Sequence, residues 1–291
     1  MTTTPGEKFR EAMRQEKPLQ IVGAINAYVA LMAKRQGFRC LYLSGAGVAN
    51  SSYGLPDLAI TSLENVLEDA SRILAAVDLP LMVDIDTGWG NELNIARAIK
   101  LMGKAGVAAI HIEDQAFEKR CGHRPGKKIV PTEEMTARVK AAHRAKVDPS
   151  FVIVARTDAY HSEGLDGVIK RAIAYKNAGA DVIFPEAFES LEQYKKLKQA
   201  VDMPVLANIT EFGKTPLYTL KELKKAGVDI ALYPLTINRL MNKAAELGLE
   251  TLRKEGSQKK LIDKMQTRDQ LYEVLDYHSF EKQIDEGGKK R

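Results

Sequence analysis

Along this chain, short apolar runs alternate with longer stretches in which apolar residues recur at helical spacing. Glycines follow the ends of several helical stretches, most clearly Gly106, Gly179 and Gly227. Glycine just past a helix end fits the left-handed cap conformation that other residues resist. The apolar run that follows is too short and too continuous for a surface helix and is typical of a buried parallel strand. The pattern therefore predicts a repeating strand–helix unit.

The unit recurs along most of the chain. The predicted strands are residues 20–25, 40–43, 81–85, 108–112, 151–155, 182–185, 205–207 and 230–233. The predicted helices include residues 6–17, 92–104, 132–145, 166–178 and 217–226, and everything after Thr236, down to a soluble tail at 286–291. Eight strands alternating with helices are typical of a (β/α)8 TIM barrel. We expect one barrel domain over residues 1–291, with a helical extension from about residue 236.

A doubly wound open sheet is the alternative fold within the same α/β class. It predicts a glycine-rich phosphate loop after the first strand, and the segment Gly23-Ala-Ile-Asn26 does not supply one. The barrel is therefore favoured.

Composition indicates the size of the core and the cellular compartment, but it does not indicate the function. The chain has 291 residues, 45% of them hydrophobic, which is enough for a large core. Its two cysteines cannot form a disulfide framework, so a reducing cytoplasm is expected. The longest uncharged stretch, residues 40–56, is too polar to span a membrane, and residues 1–10 lack an apolar signal core.

The net charge of +5 allows either nucleic acid or a small polyanionic substrate as partner. A non-catalytic barrel that binds nucleic acid is the alternative from a different functional class. The clustered lysines fall on predicted helices without interleaved aromatic residues: Lys195, Lys196, Lys198, Lys224 and Lys225. Such faces are ordinarily solvated, so nucleic acid is not expected.

Polar residues stand where the predicted strands end. They are Ser44, Asp84, Asp86, Glu113, Asp114, Arg156, Asp158, Glu186, Asn208, Thr210 and Tyr233. In a barrel the carboxyl ends of the strands form the catalytic face. Helix capping accounts for some of these residues, Asp158 and Thr210 among them, but not for charged residues at successive strand ends.

Asp84 and Asp86 form a candidate metal site. Strand residues two apart face the same side, so both carboxylates can point at one place. Two hard oxygen ligands, with Glu113 at the next strand end, suit Mg²⁺, and Mn²⁺ would fit similarly. The alternative is an aspartate cap before the turn at Gly88.

Cys121 is the leading candidate for covalent or proton chemistry. It lies in the loop Lys119-Arg-Cys-Gly-His-Arg-Pro-Gly-Lys-Lys128, among several cations. Positive surroundings favour a thiolate, whereas Cys40 has the apolar neighbours of a structural cysteine. The alternative is a cysteine in a basic phosphate-binding patch.

Arg156, at a strand end, suits bidentate binding of a carboxylate. Together with the metal site and the thiol it indicates a small polycarboxylate substrate whose carbon–carbon bond is broken. By periodicity alone, Arg239 and Arg268 are indistinguishable from solvated helix arginines.

The motifs Lys119-Arg-Cys-Gly-His123 and Asp84-x-Asp86-x-Gly88 resemble the isocitrate lyase and phosphoenolpyruvate mutase superfamily. The resemblance covers residues 6–280 and includes the stretches 42–45, 208–216 and 232–239. The cysteine motif is specific for the lyase branch. His123-Arg-Pro and the stretch 208–216 favour the members that cleave methylisocitrate.

The resemblance implies cleavage of (2S,3R)-2-methylisocitrate to pyruvate and succinate, in the methylcitrate cycle of propionate catabolism. It implies a homotetramer in which neighbouring subunits exchange the eighth helix. Isocitrate lyase, dimethylmalate lyase and oxaloacetate hydrolase are the alternatives within the branch. Phe184, Leu232 and Pro234 are expected to form the pocket for the extra methyl group.

The resemblance also assigns site residues. Asp84 and Asp86 would hold Mg²⁺, with Cys121, Tyr42, His123 and Glu113 as catalytic residues. The implied substrate-binding residues are Ser44, Gly45, Ala46, Cys121, Gly122, Arg156, Glu186, Asn208, Ile209, Thr210, Arg239 and Arg268. Ala46 departs from the glycine common at its position, a change that a backbone contact tolerates. The hypothesis is that Tyr42 deprotonates the substrate hydroxyl, the C2–C3 bond breaks, and Cys121 protonates the succinate carbanion equivalent.

Overall fold

The structure, a computed structural model, describes residues 3–288 and contains a parallel (β/α)8 barrel. The strands are β1 (Leu19–Gly23), β2 (Cys40–Leu43), β3 (Leu81–Asp84), β4 (Ala109–Glu113), β5 (Val152–Thr157), β6 (Val182–Pro185), β7 (Leu206–Asn208) and β8 (Ile230–Tyr233). Each pairs in parallel with its sequence neighbour, and β1 pairs with β8. A bridge between Ile183 and Val205 links the β6 and β7 sides. The predicted barrel is confirmed, and every strand begins within one residue of its predicted position.

The helices fill the intervals between the strands. They are α1 (Pro5–Gln15), α2 (Ala27–Arg35), α3 (Gly45–Tyr53), α4 (Leu63–Ala76), α5 (Glu92–Ala105), α6 (Thr132–Arg144), α7 (Tyr160–Ala178), α8 (Leu191–Ala200), α9 (Leu220–Lys225), α10 (Thr236–Glu255), α11 (Arg268–Leu275) and α12 (Tyr277–Gly288). Gly106 and Gly179 cap α5 and α7 with φ of 94° and 106°, as their positions predicted. These residues need the left-handed conformation that glycine adopts without strain.

Several helix bounds differ from the prediction. Helix α1 ends at Gln15, two residues before its predicted end. The region after Thr236 is not one continuous helix, because Gly256 ends α10 in the left-handed conformation and residues 259–264 form a 3₁₀ helix. Helix α7 begins at Tyr160 and bends at Gly164, where φ is 66°. Helix α9 begins only at Leu220, because Thr219 caps it by accepting from the backbone of Glu222. Helix α12 runs to Gly288, so the first half of the predicted tail is helical, and residues 289–291 lie outside the described residues.

Two apolar layers follow from the alternation of side chains along the strands. One layer fills the barrel lumen and includes Ile21, Met82, Val154 and Leu232, with Phe9 of α1 packed beneath them. The other lies between the strands and the surrounding helices. Helix α1 therefore packs against the amino end of the barrel, opposite the carboxyl ends of the strands, where the catalytic face of such a barrel lies.

A cluster of charges fastens α1 to the amino ends. Asp181, just before β6, accepts hydrogen bonds from Arg10 Nη2 (2.7 Å), Lys146 Nζ (2.9 Å) and the backbone N–H of Ile153 (2.9 Å). Burial alone would raise the pKa of Asp181, but these donors lower it. The carboxylate therefore ties three elements together.

Helix α10, which follows the last strand, buries little of its surface against the rest of the chain. Only Asn238 is buried on it, while Leu240, Leu249 and Leu252 are exposed. No helix among the described residues combines the length and apolar character needed to cross a membrane.

Candidate active site

A cavity of about 160 Å³ opens at the carboxyl ends of the strands. Most of the residues predicted for the site line it: Tyr42, Ser44, Ala46, Asp84, Cys121, Gly122, His123, Arg156, Glu186, Asn208, Thr210 and Arg239. Phe184, Leu232 and Pro234, predicted for a methyl pocket, line it too. Strands from all around the barrel thus deliver polar groups to one place.

The remaining predicted residues lie beside or away from the cavity. Gly45, Asp86 and Glu113 contact residues that line it, whereas Ile209 is buried outside its wall. Arg268 is exposed at the start of α11 and does not line the cavity of its own chain. The structure therefore does not bring Arg268 together with the others.

Two further strand-end residues point elsewhere. Asp114 faces outward and accepts hydrogen bonds from Thr157 Oγ1 (2.7 Å) and Tyr175 Oη (2.8 Å) behind the strands. Burial, then the charge of Asp158, raises the pKa of Asp114 to about 6. Tyr233 is half-buried and does not line the cavity. Neighbouring strand residues face opposite sides, so Glu113 points inward and Asp114 outward.

Asp84 is a carboxylate held at both oxygens. Its Oδ2 accepts hydrogen bonds from the backbone N–H of Gly45 (3.0 Å) and the Tyr42 hydroxyl (3.3 Å). Its Oδ1 accepts from the backbone N–H of Asp86 (3.0 Å) and lies 3.0 Å from His111 Nε2. Gly45 begins α3, and amides at a helix N-terminus favour negative charge. The position and charge of Asp84 are therefore fixed before any ligand binds.

His111 is a site residue that sequence reasoning missed. It is fully buried within β4. Burial disfavours the imidazolium, but the Asp84 carboxylate outweighs burial and raises the pKa of His111 to about 9. In return, His111 lowers the pKa of Asp84 against the effect of burial. His111 lies two residues before Glu113 and so on the same inward face, which the alternation of the strand could have indicated.

Tyr42 lies between Asp84 and His111. Its hydroxyl is 3.3 Å from His111 Nδ1, and the two rings are nearly parallel at 6.0 Å. Burial, followed by the charge of Asp84, raises the pKa of Tyr42 well above its normal value. In this arrangement Tyr42 is a hydrogen-bond donor, which opposes the predicted role as a base.

Lys119 connects the cysteine loop to the carboxylates. Its Nζ lies 2.6 Å from Asp86 Oδ1 and also pairs with Asp57, a residue absent from the sequence-based site. Burial disfavours the ammonium, but the carboxylates, Asp86 foremost, raise the pKa of Lys119. Burial and then Asp84 raise the pKa of Asp86, and Lys119 opposes this rise.

The oxygen donors beside Gly45 fit a magnesium ion. A Cβ on Gly45 would lie 3.1 Å from Asp84 Oδ2 and 3.4 Å from Asp86 Oδ1, so both carboxylates converge on this point. Asp86 reaches it through a turn with φ of 49°, not through the strand alternation expected from the sequence, because β3 ends at Asp84. Within residues 3–288 no set of three or more His, Cys, Asp or Glu side chains is arranged around one metal position. Mg²⁺ needs only one or two protein carboxylates, since water and substrate oxygens complete its shell.

Arg156 is surrounded by three carboxylates. It binds Asp158 through Nε (3.0 Å) and Nη2 (3.2 Å), and lies 3.2 Å from Glu113 and 3.3 Å from Glu186. Its guanidinium stacks over Phe184 at 5.3 Å. A buried cation in this network stays charged and fixed in orientation, as bidentate carboxylate binding requires.

His123 reaches the same network from the loop. Its Nδ1 accepts a hydrogen bond from the backbone N–H of Lys214 (3.0 Å), so the ring proton belongs on Nε2, which lies 2.8 Å from Glu186 Oε1. Burial would raise the pKa of Glu186, but Arg156 and His123 lower it. Asn208 Nδ2 donates to the same carboxylate at 3.3 Å.

Cys121 is exposed on the wall of the cavity. The cations predicted to surround it turn to the barrel: Lys119 to Asp86, and Lys127 to Asp158 at 2.7 Å. Buried carboxylates need counter-charges, and these lysines supply them. The surroundings of the thiol are therefore less positive than predicted. The sequence shows that cationic residues lie near Cys121, but it does not show which carboxylates pair with them.

Gly122 lets the loop rest on the Arg156 network. A Cβ at this position would lie 2.4 Å from Glu186 Cγ and 2.5 Å from Arg156 Nη2. Arg239 of α10 also lines the cavity, donates to Thr210 Oγ1 at 3.0 Å and pairs with Glu211. Groups from the loop and from α10 thus both form part of the cavity wall.

Comparison with known proteins defines the class. The sequence profile of the phosphoenolpyruvate phosphomutase family matches residues 9–253. A solved structure of oxaloacetate acetylhydrolase with the inhibitor 3,3-difluorooxalacetate superposes with a TM-score of 0.91 at 34% identity, covering 98% of both chains. One of phosphonopyruvate hydrolase with oxalate and Mg++ has a TM-score of 0.83 at 25% identity, covering 96% of this chain and 97% of that one. The chain belongs to the phosphoenolpyruvate phosphomutase family.

Several curated 2-methylisocitrate lyases share more than half of their aligned residues with this chain. The chain is 57% identical to the enzyme of Shewanella oneidensis over 98% of both chains. It is 56% identical to that of Vibrio cholerae, over 98% of this chain and 95% of the relative. The resemblance found in the motifs therefore extends along the whole chain.

Proposed function

We propose that this protein is a carbon–carbon lyase that cleaves (2S,3R)-2-methylisocitrate to pyruvate and succinate, as a step of propionate catabolism. The observation that carries the proposal is the convergence of Cys121, Asp84 and Arg156 on one cavity, in a chain 57% identical to a 2-methylisocitrate lyase. A thiol, an acidic metal site and a fixed guanidinium match the needs of a polycarboxylate cleaved beside a hydroxyl group.

The carboxylate ends of the substrate have two cationic partners. Arg156 and Arg239 both line the cavity, and each is already held by carboxylates of the protein. Thr210 and Asn208 add a hydroxyl and an amide for the remaining oxygens. Substrate carboxylates would share or replace the protein carboxylates around these arginines.

The reaction requires one proton to leave and one to arrive. As the hydroxyl proton leaves, the C2–C3 electron pair moves to C3, giving the pyruvate carbonyl and a carbanion equivalent of succinate. The Cys121 thiol protonates C3. The Cys121 thiolate and the group that accepted the hydroxyl proton then return to their starting protonation states by exchange with water. Tyr42, in its phenolate form, is the proposed acceptor of the hydroxyl proton, and Glu113 and His111 fix the charges around it.

We propose Mg²⁺, with Mn²⁺ as a possible substitute, bound by Asp84 and Asp86. When bound, it would stabilise negative charge on the substrate oxygens and on a Tyr42 phenolate, which burial and the charge of Asp84 disfavour. The oxalate and Mg++ complex of phosphonopyruvate hydrolase supports this assignment.

We further propose a homotetramer in the cytoplasm, in which each chain acts as one domain and α10 packs on a neighbouring copy. The exposed leucines of α10 support this, because an apolar helix face of this kind is stabilised by burial. The two unpaired cysteines suit a reducing compartment. The mass of the particle by light scattering tests the assembly: four copies are expected, and a monomer would refute it.

A substrate panel tests the function. Turnover of 2-methylisocitrate, isocitrate, 2,3-dimethylmalate and oxaloacetate is measured with and without Mg²⁺. We expect the highest kcat/KM for 2-methylisocitrate, with activity on isocitrate lower by about 10- to 200-fold, the discrimination that one methyl group provides. A clear preference for any of the other three acids would refute the assignment.

A further inference from the structure

The side chain of Gln115 forms a two-way hydrogen-bonded pair with the backbone of Arg120. Its Nε2 donates to the Arg120 carbonyl (2.9 Å), and its Oε1 accepts from the Arg120 N–H (3.0 Å). This pairing has the pattern of a β-ladder, with one side-chain amide in place of a strand. Gln115 is fully buried, and Arg120 immediately precedes Cys121.

Gln115 is itself anchored to the barrel. It forms an antiparallel bridge with Ile129, and its carbonyl accepts a hydrogen bond from Arg138 Nη1 (2.8 Å). The same guanidinium nitrogen donates to the carbonyl of Glu113, the last residue of β4 (3.1 Å). The amide therefore extends from a rigid element, and its two bonds transmit that rigidity to the loop.

The backbone beyond Cys121 is also held. The Cys121 carbonyl accepts from the Arg124 N–H (2.9 Å), and the Gly122 carbonyl accepts from Lys127 Nζ (2.5 Å). The loop lysines Lys119 and Lys127 bind the carboxylates of Asp86 and Asp158. A bound metal ion or substrate would compete for these ion pairs. The pair between Gln115 and Arg120 is uncharged, so it can persist while those ion pairs rearrange.

We propose that Gln115 is a positioning residue that fixes the backbone at Arg120 and thereby places the Cys121 thiol for proton donation. The inference rests on the proposed function of Cys121, while the contact itself does not. A bystander role, in which the amide only satisfies buried backbone groups, predicts no effect on the proton step.

The first experiment needs no substrate. Gln115→Met keeps the length of the side chain and removes both bonds. Gln15→Met is the control, because Gln15 also pairs both amide atoms, with Glu11 (2.8 Å) and Arg39 (2.7 Å), but in α1 at the opposite end of the barrel. We expect amide hydrogen exchange across residues 116–124 to become about tenfold faster in Gln115→Met, as for the loss of two neutral hydrogen bonds, and to stay unchanged in the control.

The second experiment measures the proton step with Mg²⁺ and saturating 2-methylisocitrate. We expect kcat to fall by roughly 10- to 100-fold in Gln115→Met with a smaller change in KM, because the thiol is displaced while the arginines outside the loop, Arg156 and Arg239, stay in place. The solvent deuterium isotope effect on kcat should rise, since protonation becomes slower than the other steps. A mere loss of folded molecules would lower kcat without changing the isotope effect.

Gln115→Leu serves as the second variant if the first does not fold. It removes both bonds to Arg120 with a branched apolar side chain in place of the linear one, so the same changes are expected. Unchanged loop exchange, or faster exchange with kcat and its isotope effect unaltered, would overturn the proposal. A wild-type protein inactive on 2-methylisocitrate would instead overturn the proposed function, and the exchange rates would still decide whether Gln115 holds the loop.

Discussion

The ammonium of Lys119 lies 2.6 Å from Asp86 Oδ1. Lys119 is two residues from Cys121, so the loop that carries the thiol is bound directly to one of the two carboxylates proposed for the metal. A cation at this position and a metal ion at Asp84 and Asp86 compete for the same negative charge. The position of the loop and the occupancy of the metal site are therefore coupled.

Replacing Lys119 should strengthen metal binding. We expect Lys119→Met to bind Mn²⁺ about tenfold more tightly in the absence of substrate, because a competing charge is removed. Titration followed by electron paramagnetic resonance measures the affinity directly. Lys128→Met, the same charge change at an exposed position of the loop, is the control and should leave the affinity within about twofold of the wild type. Weaker binding in Lys119→Met would show that Lys119 organises the site and does not compete for it.

Gly122→Ala should impair catalysis with little effect on stability. The added Cβ would lie 2.4 Å from Glu186 Cγ, and Glu186 and Arg156 are both held by several partners. The loop must therefore move away, and we expect kcat/KM to fall by about 100-fold. Gly287→Ala, where nothing lies within 4 Å of the new Cβ, is the control and should be fully active. Normal activity in Gly122→Ala would mean that the loop does not rest on Glu186 during turnover.

Asp181→Asn should destabilise the amino end of the barrel in a pH-dependent way. The folded state lowers the pKa of Asp181, so its contribution is present above the pKa of the unfolded chain and is lost as pH falls through the lower folded value. At pH 7 we expect a loss of about 2 kcal/mol in the free energy of unfolding, from broken hydrogen bonds to a charged group. The loss should shrink below about pH 4, where the carboxyl of the unfolded chain is protonated.

Urea denaturation at several pH values measures this loss. Asp202→Asn is the control, because the Asp202 side chain is fully exposed and its nearest lysine, Lys176, is 3.6 Å away. Solvent and salt screen an exposed pair of this kind, so Asp202→Asn should leave the free energy of unfolding nearly unchanged at every pH. A loss in Asp181→Asn that stays constant with pH would rule out the carboxylate charge as its cause.

The strand pattern predicted the barrel because buried parallel strands give continuous apolar runs, and it predicted most of the cavity because strand ends converge. The strand pattern did not predict side-chain positions that are set by contacts between residues distant in sequence. Lys119 and Asp57 meet across loops whose course no periodicity describes, and Asp86 adopts a left-handed turn that strand alternation does not include. His111 was missed because it lies within the apolar run that forms β4, and not at the end of the strand. Arg239 was distinguishable from a solvated arginine only by resemblance, and its contact with Thr210 requires the folded chain.

In the proposed mechanism the Cys121 thiol is the acid in carbon–carbon cleavage. The kcat of Cys121→Ser with Mg²⁺ and saturating 2-methylisocitrate tests this role. A hydroxyl is a far weaker acid than a thiol at the same position, and we expect kcat to fall by about 10²- to 10⁴-fold with the fold intact. Turnover within a few-fold of the wild-type rate would exclude Cys121 as the acid.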